Sequence, residues 1–461
     1  MFNRFFTYPV FLVLFLSIIA SILLSSLVRY HYHGGEKIKS LREFAVIISE
    51  IPFNVKHMVQ HKTLNLNDLT PLSKHENKKK IKQLLENERN ALLVLSRYDI
   101  SLSKSVVDIV DLKNFEVIHT YRHDVAKMNN KIKNMDEFPR AEIDSSPTRF
   151  RYLHPLIFED GSLISFSKDQ PMFKIDFCSN LKWINDEEQF HHGQNLDHNG
   201  NIWVAGRMQP ESKQVEKYKK KYGLKEYIDD AVIQITTDGE ILFKKSIVEI
   251  LIENNIVPDN FVLSTSLLST IINQLHLNEI QPALSDSEYW KRGDLFISIR
   301  NQSAIIHYRP NTNKVINYIT GPFIYQHDVD IISDKEISIF NNNNIIFNNK
   351  NFEINKKHSE VIIYDFETKN FRTLFKKQLK KENFITETNG LSEFLNDGSL
   401  MVEETIHGRL ILFNNKGEKE WEFVNKDEND KIGRLFWSRI IEDELLIEKF
   451  KLLTENKKCI K

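Results

Sequence analysis

From about residue 92 onward, apolar and polar residues alternate over short runs, and turns rich in Asp, Asn, Gly or Lys close each run. A period of two with turn punctuation predicts β-strands. One unit recurs six times: an alternating strand, a turn, then a second alternating strand. The copies lie at 106–121, 172–185, 231–245, 303–320, 359–376 and 408–425, and the clearest are 232–243 and 410–421. A further strand pair precedes most copies, at 155–168, 193–207, 328–341 and 391–404. Four strands per repeat predict an all-β fold, a six-bladed β-propeller over 91–461. Seven blades or an array of β-sandwiches are the rival arrangements. Residues 436–447 read as one more strand pair, able to complete the first blade. Two interruptions, 208–230 and 247–274, read as helical insertions able to cover one face of the ring.

The pattern differs ahead of the repeats. Residues 9–28 are apolar and free of charge, about the 20 residues a helix needs to cross a bilayer. With no small-residue cleavage site following, 1–35 reads as an uncleaved single-pass membrane anchor. Arg4 precedes the span, while Arg29, Lys37, Lys39 and Arg42 follow it, so the flanking charges favour a cytoplasmic body. Residues 36–90 read as a polar, helical membrane-proximal stalk, including a charged helix at 78–90.

Composition narrows the partners. The 461 residues carry 62 basic and 63 acidic side chains, so no nucleic-acid footprint is implied. Glycine is sparse at 15, and the abundant Asn can take over left-handed turn positions. The two cysteines, Cys178 and Cys459, are far apart and read as a buried thiol and a tail thiol rather than a disulfide framework.

The candidate chemistry lies in three strands that open on histidine. His192, His276 and His327 each stand four places before an apolar residue: Leu196, Ile280 and Ile331. In a propeller, equivalent places on neighbouring first strands meet at one mouth of the central channel. Five places into the following strands stand Lys168, Arg207, Arg300 and Asn342, and Gly390 takes the histidine's place in the last repeat. His154, His191 and His198 lie nearby in sequence. Three imidazoles could hold Zn²⁺ with an open position, although Arg300 would oppose a cation. Imidazoles with a guanidinium could instead surround a tetrahedral oxyanion, one imidazole acting as nucleophile. A binding module in which the histidines are structural is the third reading.

At these residues the chain resembles the bacterial arylsulfotransferases. The similar stretches are His191-His192 before the turn at 199–201 and Trp203, then 275–280 leading to 296–300, and 326–328 leading to 339–342. The resemblance covers roughly 150–425. It implies a six-bladed propeller that moves a sulfuryl group from a phenolic sulfate ester to another phenol, without cofactor or metal. His327 would be the transiently sulfated nucleophile, His276 and Arg300 the sulfuryl-binding and acid/base residues, and His192 the third histidine. It also favours a periplasmic catalytic domain on the bacterial inner membrane. The chain shows no Gly-rich phosphate loop, consistent with a donor that is not a nucleotide. Asp328 is a candidate to orient the nucleophile, and Trp203, Tyr325 and Phe340 are candidate aryl contacts. The β-sandwich that precedes the propeller in some family members has no counterpart here, so the sequence assigns no oligomeric state. A polar insertion at 285–291 is a candidate to alter acceptor choice.

Overall fold

The alternating runs fold as antiparallel sheets whose two faces are both covered. The computed structural model describes residues 7–32, 41, 45, 48, 69, 75, 78–86, 89–133, 145–222, 226–256, 275–343, 358–386 and 388–459. The chain divides into two units, Met1–Asp68 with Lys213–Tyr227, and Leu69–Ser212 with Ile228–Lys461.

In the first unit the apolar run forms a helix, Thr7–Tyr32, and its side chains Leu12, Leu14 and Phe15 are exposed. Among the described residues no helix is long and apolar enough to cross a membrane, so the anchor expected at 9–28 lacks structural support. A second helix, Lys213–Tyr222, belongs to this unit rather than to the sheets that flank it in sequence.

The second unit holds the sheets. An edge strand β1 (Ile81–Gln83) comes first, then the meander β2 (Leu92–Asp99), β3 (Lys104–Asp111) and β4 (Glu116–Tyr121). A seven-stranded sheet follows in chain order: β5 (Leu156–Ile157), β6 (Leu163–Phe166), β7 (Gln170–Ile175), β8 (Leu181–Leu196), β9 (Ile202–Arg207), β10 (Asp230–Ile235) and β11 (Ile241–Ser246). Two four-stranded sheets come next. One contains β12 (Leu277–Pro282), β13 (Leu295–Ile299), β14 (Ala304–Arg309) and β15 (Lys314–Thr320). The other contains β16 (Val329–Ile331), β17 (Glu336–Asn341), β18 (Glu360–Asp365) and β19 (Asn370–Leu374). The last is β20 (Leu391–Phe394), β21 (Leu400–Glu404), β22 (Arg409–Phe413) and β23 (Lys419–Val424), with β1 added at its outer edge. β24 (Arg439–Ile441) then returns to pair with β2, matching Val94 to Arg439 and Leu92 to Ile441. The all-β arrangement is propeller-like.

Burial explains the order. Every residue of β9, β13 and β22 is buried, as expected of a strand covered on both faces. Phe296 and Ile305 pack against Val329 and Ile339 of the next sheet, and Phe340 and Val361 against Leu400 and Ile411 of the one after. Leu410 and Trp421 meet Leu93 and Ile440, and Leu92 and Val107 meet Leu163 and Phe173. At roughly 25 cal/mol per Å² of apolar surface buried, this sheet-on-sheet packing is the main stabilising term. The first strands are also tied to one another in a closed circuit. Gln194 Nε2 donates to the His154 carbonyl (3.0 Å) and Asn195 Nδ2 to the Ile280 carbonyl (3.2 Å). Asn278 Nδ2 donates to the Gln326 carbonyl (3.0 Å), and the Ser392 N–H to Asp328 Oδ2 (3.0 Å). The Ile440 N–H donates to Glu393 Oε2 (3.0 Å), and the His154 N–H to the Phe436 carbonyl (3.0 Å).

Three expectations change. The charged segment 78–90 contributes the edge strand β1 where a helix was expected, because Ile81 and Gln83 pair with Phe423 and Trp421 at an open sheet edge. Most of the rest of the expected stalk lies outside the described residues. Of the strand pair expected at 436–447 only β24 forms. The following residues are a helix, Glu444–Asn456, capped by Asp443 and buried through Ile447 and Phe450. The insertion at 247–274 begins with a helix, Ile247–Glu253, while 257–274 lies outside the described residues. Finally, Cys178 and Cys459 form a disulfide that joins the turn after β7 to the residues after the C-terminal helix, 281 residues apart. Spacing could not reveal this, because the two ends meet only after the ring has closed.

Candidate active site

Ahead of β5, β12, β16, β20 and β24, and within β8, stands a residue with left-handed backbone: His154 (φ 41°), His276 (57°), Tyr325 (55°), Asn389 (59°), Trp437 (65°) and, in β8, His192 (64°). Such angles are uncommon outside glycine and concentrate at functional sites. A left-handed residue interrupts the strand, so its side chain need not follow the in-out alternation. Three of the histidines picked out by pattern gather here. The rings of His192 and His276 are 5.0 Å apart and those of His192 and His327 6.2 Å apart.

His327 is buried and its ring is held at both nitrogens. Nδ1 lies 2.6 Å from Asn342 Oδ1 and 3.2 Å from the Tyr325 carbonyl, while Nε2 accepts the Asn389 N–H at 3.0 Å. Asn342 donates its own amide to the Thr386 and Asn389 carbonyls, which assigns its oxygen to the imidazole. Two acceptors at Nδ1 place the proton there, so Nε2 carries the lone pair.

Arg300 opens a short turn after β13. Its guanidinium carbon lies 4.7 Å from the Tyr325 ring centroid, and Nη1 donates to Asn301 Oδ1 (2.9 Å). Its Nε has no hydrogen-bond partner among the described residues. Burial lowers the Arg300 pKa to about 10, still charged at neutral pH. Burial, then the Arg300 charge, lowers His327 to about 3. The same two causes hold His276 well below its ordinary value. His192 is also held well down, by burial and then by the neighbouring imidazoles. The three rings are therefore neutral bases beside a fixed cation, an arrangement suited to an anion.

A cavity of about 30 Å³ touches the cluster at His192 and is lined also by Asn389, Trp437 and Phe436 and by the cations Arg151, Lys168 and Arg434. The Trp437 ring lies 6.3 Å from His192 and 6.5 Å from His327. Among the described residues no group of three His, Cys, Asp or Glu side chains is arranged to hold a metal ion.

The family model described as Arylsulfotransferase (ASST) matches residues 154–426, more than half of the chain. The chain belongs to the arylsulfotransferase family. No match was found among curated proteins. Similar solved structures include a protein of unknown function from Bacteroides caccae, 10% identical over 77% of this chain and 99% of that one, with a TM-score of 0.46. A virginiamycin B lyase from Staphylococcus aureus is 11% identical over 59% of this chain and 69% of that one, TM-score 0.31. Hydrazine synthase from Kuenenia stuttgartiensis is 10% identical over 68% and 71%, TM-score 0.38. At these scores none of the three carries an argument.

For this arylsulfotransferase family member, His192, His276 and His327 lie together, and Arg300 acts on two of them. Several other expectations shift. Arg207 does not face the cluster: it is buried in ion pairs with Asp169 and Asp230. Asp328 does not orient His327. Adjacent strand residues point to opposite faces, and the Asp328 carboxylate accepts from Ser392 while Asn342 takes the orienting role. Trp203 packs on Phe243 and Phe340 on Phe384, leaving Tyr325 beside Arg300. The insertion 285–291 follows the end of β12 opposite His276, and its Trp290 is buried on Phe296 (5.5 Å), so it is remote from the cluster. Trp437, Asn389 and Arg434 were missed. Asn389 stands one place before Gly390, the residue aligned with the histidines, while Trp437 and Arg434 lie in no motif and come in only when β24 pairs with β2.

Proposed function

We propose that this chain transfers a sulfuryl group from an aryl sulfate ester to a phenolic acceptor through a sulfohistidine at His327. The observation that carries the reading is the Nε2 lone pair of His327, fixed by Asn342 at Nδ1 and facing a cluster that contains Arg300, His276 and His192. In the first half-reaction Nε2 gives up the Asn389 N–H and attacks sulfur. The N–S bond forms, the S–O bond to the aryl group breaks, and the phenolate departs with the electron pair. The singly charged ester offsets the repulsion that keeps the imidazoles neutral, so His276 can hold a proton and pass it to that phenolate. Charge spread over the sulfuryl oxygens is met by Arg300 already in place, which is how such loose transfers are accelerated. In the second half the acceptor oxygen attacks sulfur, and the N–S pair returns to His327.

We count six blades by dividing the seven-stranded sheet within β8. Support comes from its slipped pairing, since Met172 faces Asn185 whereas Gln170 faces Phe190. The Cys178–Cys459 disulfide favours an oxidising, periplasm-like compartment for the catalytic body. The test is incubation with p-nitrophenyl sulfate without acceptor, then peptide mass spectrometry. Stoichiometric nitrophenol with sulfate on His327 is expected; sulfation elsewhere, or no nitrophenol with any acceptor, refutes the reading.

A further inference from the structure

His192 has a neighbour with no part in the mechanism above. His191 is buried, and its Nδ1 lies 2.6 Å from Nδ1 of His192. On the other side of the ring, His191 Nε2 faces two oxygens: the Gly206 carbonyl at 3.2 Å and Asp230 Oδ1 at 3.3 Å. Neither can donate, since burial would raise the Asp230 carboxyl but Arg207 and His191 hold it below its usual range. The surroundings are rigid. The Leu277 N–H, next to His276, donates to Asp230 Oδ2 at 2.9 Å, and Arg207 clamps both Asp230 and Asp169. A Cβ on Gly206 would come within 2.9 Å of the Gln189 backbone carbonyl oxygen, so this approach needs glycine.

Tautomers follow by elimination. Acceptors at Nε2 of His191 place its proton there, which leaves Nδ1 as an acceptor. Two nitrogens 2.6 Å apart share one proton, so Nδ1 of His192 must donate. The only nitrogen left with a lone pair is His192 Nε2, which has no hydrogen-bond partner among the described residues, on a ring that lines the cavity.

We propose that Asp230 and His191 are positioning residues that lock His192 in the Nδ1–H tautomer, so that Nε2 is the base that takes the acceptor's hydroxyl proton. This rests on the transfer reaction proposed above. As the acceptor oxygen bonds sulfur and the N–S bond returns its pair to His327, the O–H proton passes to His192 Nε2. The imidazolium is then stabilised through His191 by the Asp230 carboxylate, a logic shared with acid-oriented histidines in hydrolases. The charged and titratable groups around His192 are His191, His276, His327 and Lys168, with Arg151 and Arg434 lining the same cavity and Arg207, Asp169 and Asp230 behind His191.

The test needs two readouts on the full chain. In ¹⁵N-histidine spectra, with His192 assigned by a His192→Gln variant, Nδ1 protonated and Nε2 bare are expected; the reverse tautomer overturns the proposal, whatever the activity. In kinetics, His191→Leu should slow acceptor-dependent turnover about 10- to 100-fold, shift its acid limb, and spare the nitrophenol burst. His191→Asn, which returns an acceptor oxygen near Nδ1, should recover most of the loss. Unchanged acceptor turnover in a folded His191→Leu variant overturns the relay. A wild-type chain with no transfer activity would refute the reaction, while the spectrum would still decide the tautomer.

Discussion

Two neighbouring regions of these strands bury opposite kinds of titratable group. At their entrance stand His192, His276 and His327 beside Arg300. Deeper along the same strands lie Glu279, Asp328, Asp330 and Glu393 around Arg439. In both regions burial is the leading cause of the shift, pushing imidazoles down and carboxyls up. Glu393 reaches about 7, Arg439 opposing the rise, and Glu279 and Asp330 go well above their ordinary range, each raised further by Asp328. Desolvation thus favours the uncharged form on both sides, leaving one guanidinium in each. At the entrance His192 lines the cavity together with the cations Arg151, Lys168 and Arg434; in the interior Arg439 is enclosed by acids and donates to the Gln194 carbonyl (2.9 Å). Only the entrance can therefore receive an anion.

The sharpest way to break this contrast is to remove the entrance cation. Arg300→Met should lower turnover roughly 10²- to 10³-fold. It should also move the acid limb of activity to higher pH, because Arg300 is one cause of the depressed His327 pKa. A pH–rate profile with p-nitrophenyl sulfate checks both, and an unmoved limb would separate Arg300 from His327.

The two regions should also differ in how stability depends on pH. The imidazoles are lowered, so their contribution is present above the ordinary 6.5 and is lost as pH falls toward about 3 for His327. Glu393 is raised, so its contribution is present below its ordinary 4.5 and is lost as pH rises through about 7. Glu393→Gln should then raise stability at pH 8 by roughly 1–3 kcal/mol and change little at pH 4. Urea unfolding at the two values measures it, and an equal effect at both would show that Glu393 is not a raised carboxyl.

A smaller effect is expected far from both regions. Replacing Cys178 and Cys459 together by Ser should cost about 2–4 kcal/mol of stability, from the chain entropy a long loop regains, and leave turnover within about twofold. Thermal melts of the variant and of wild type with and without reductant check this. Lost transfer activity in a folded variant would mean that the clasp also shapes the entrance.

The strand pairs were legible because a covered sheet imposes a period of two, and each of the six recurring pairs is an antiparallel pair in the structure. His192 and His276 share one place in the repeat, whereas His327 stands two residues past Tyr325, which takes that place in its own sheet. Equal position in the repeat does not mean equal surroundings at Arg207, which Asp169 and Asp230 claim. The N-terminal apolar run was read correctly as a helix, but apolarity alone does not establish a span.

What the sequence determined by itself is local and periodic: the strands, their turns, and three imidazoles at the heads of neighbouring strands. The tertiary structure alone decided which atoms meet. It set Asn342 rather than Asp328 on His327, brought Trp437 round to the entrance, joined Cys178 to Cys459, and placed Asp230 behind His191. The physical reason is ring closure. Residues far apart in the chain become neighbours when β24 pairs with β2, and no spacing along the sequence encodes that distance.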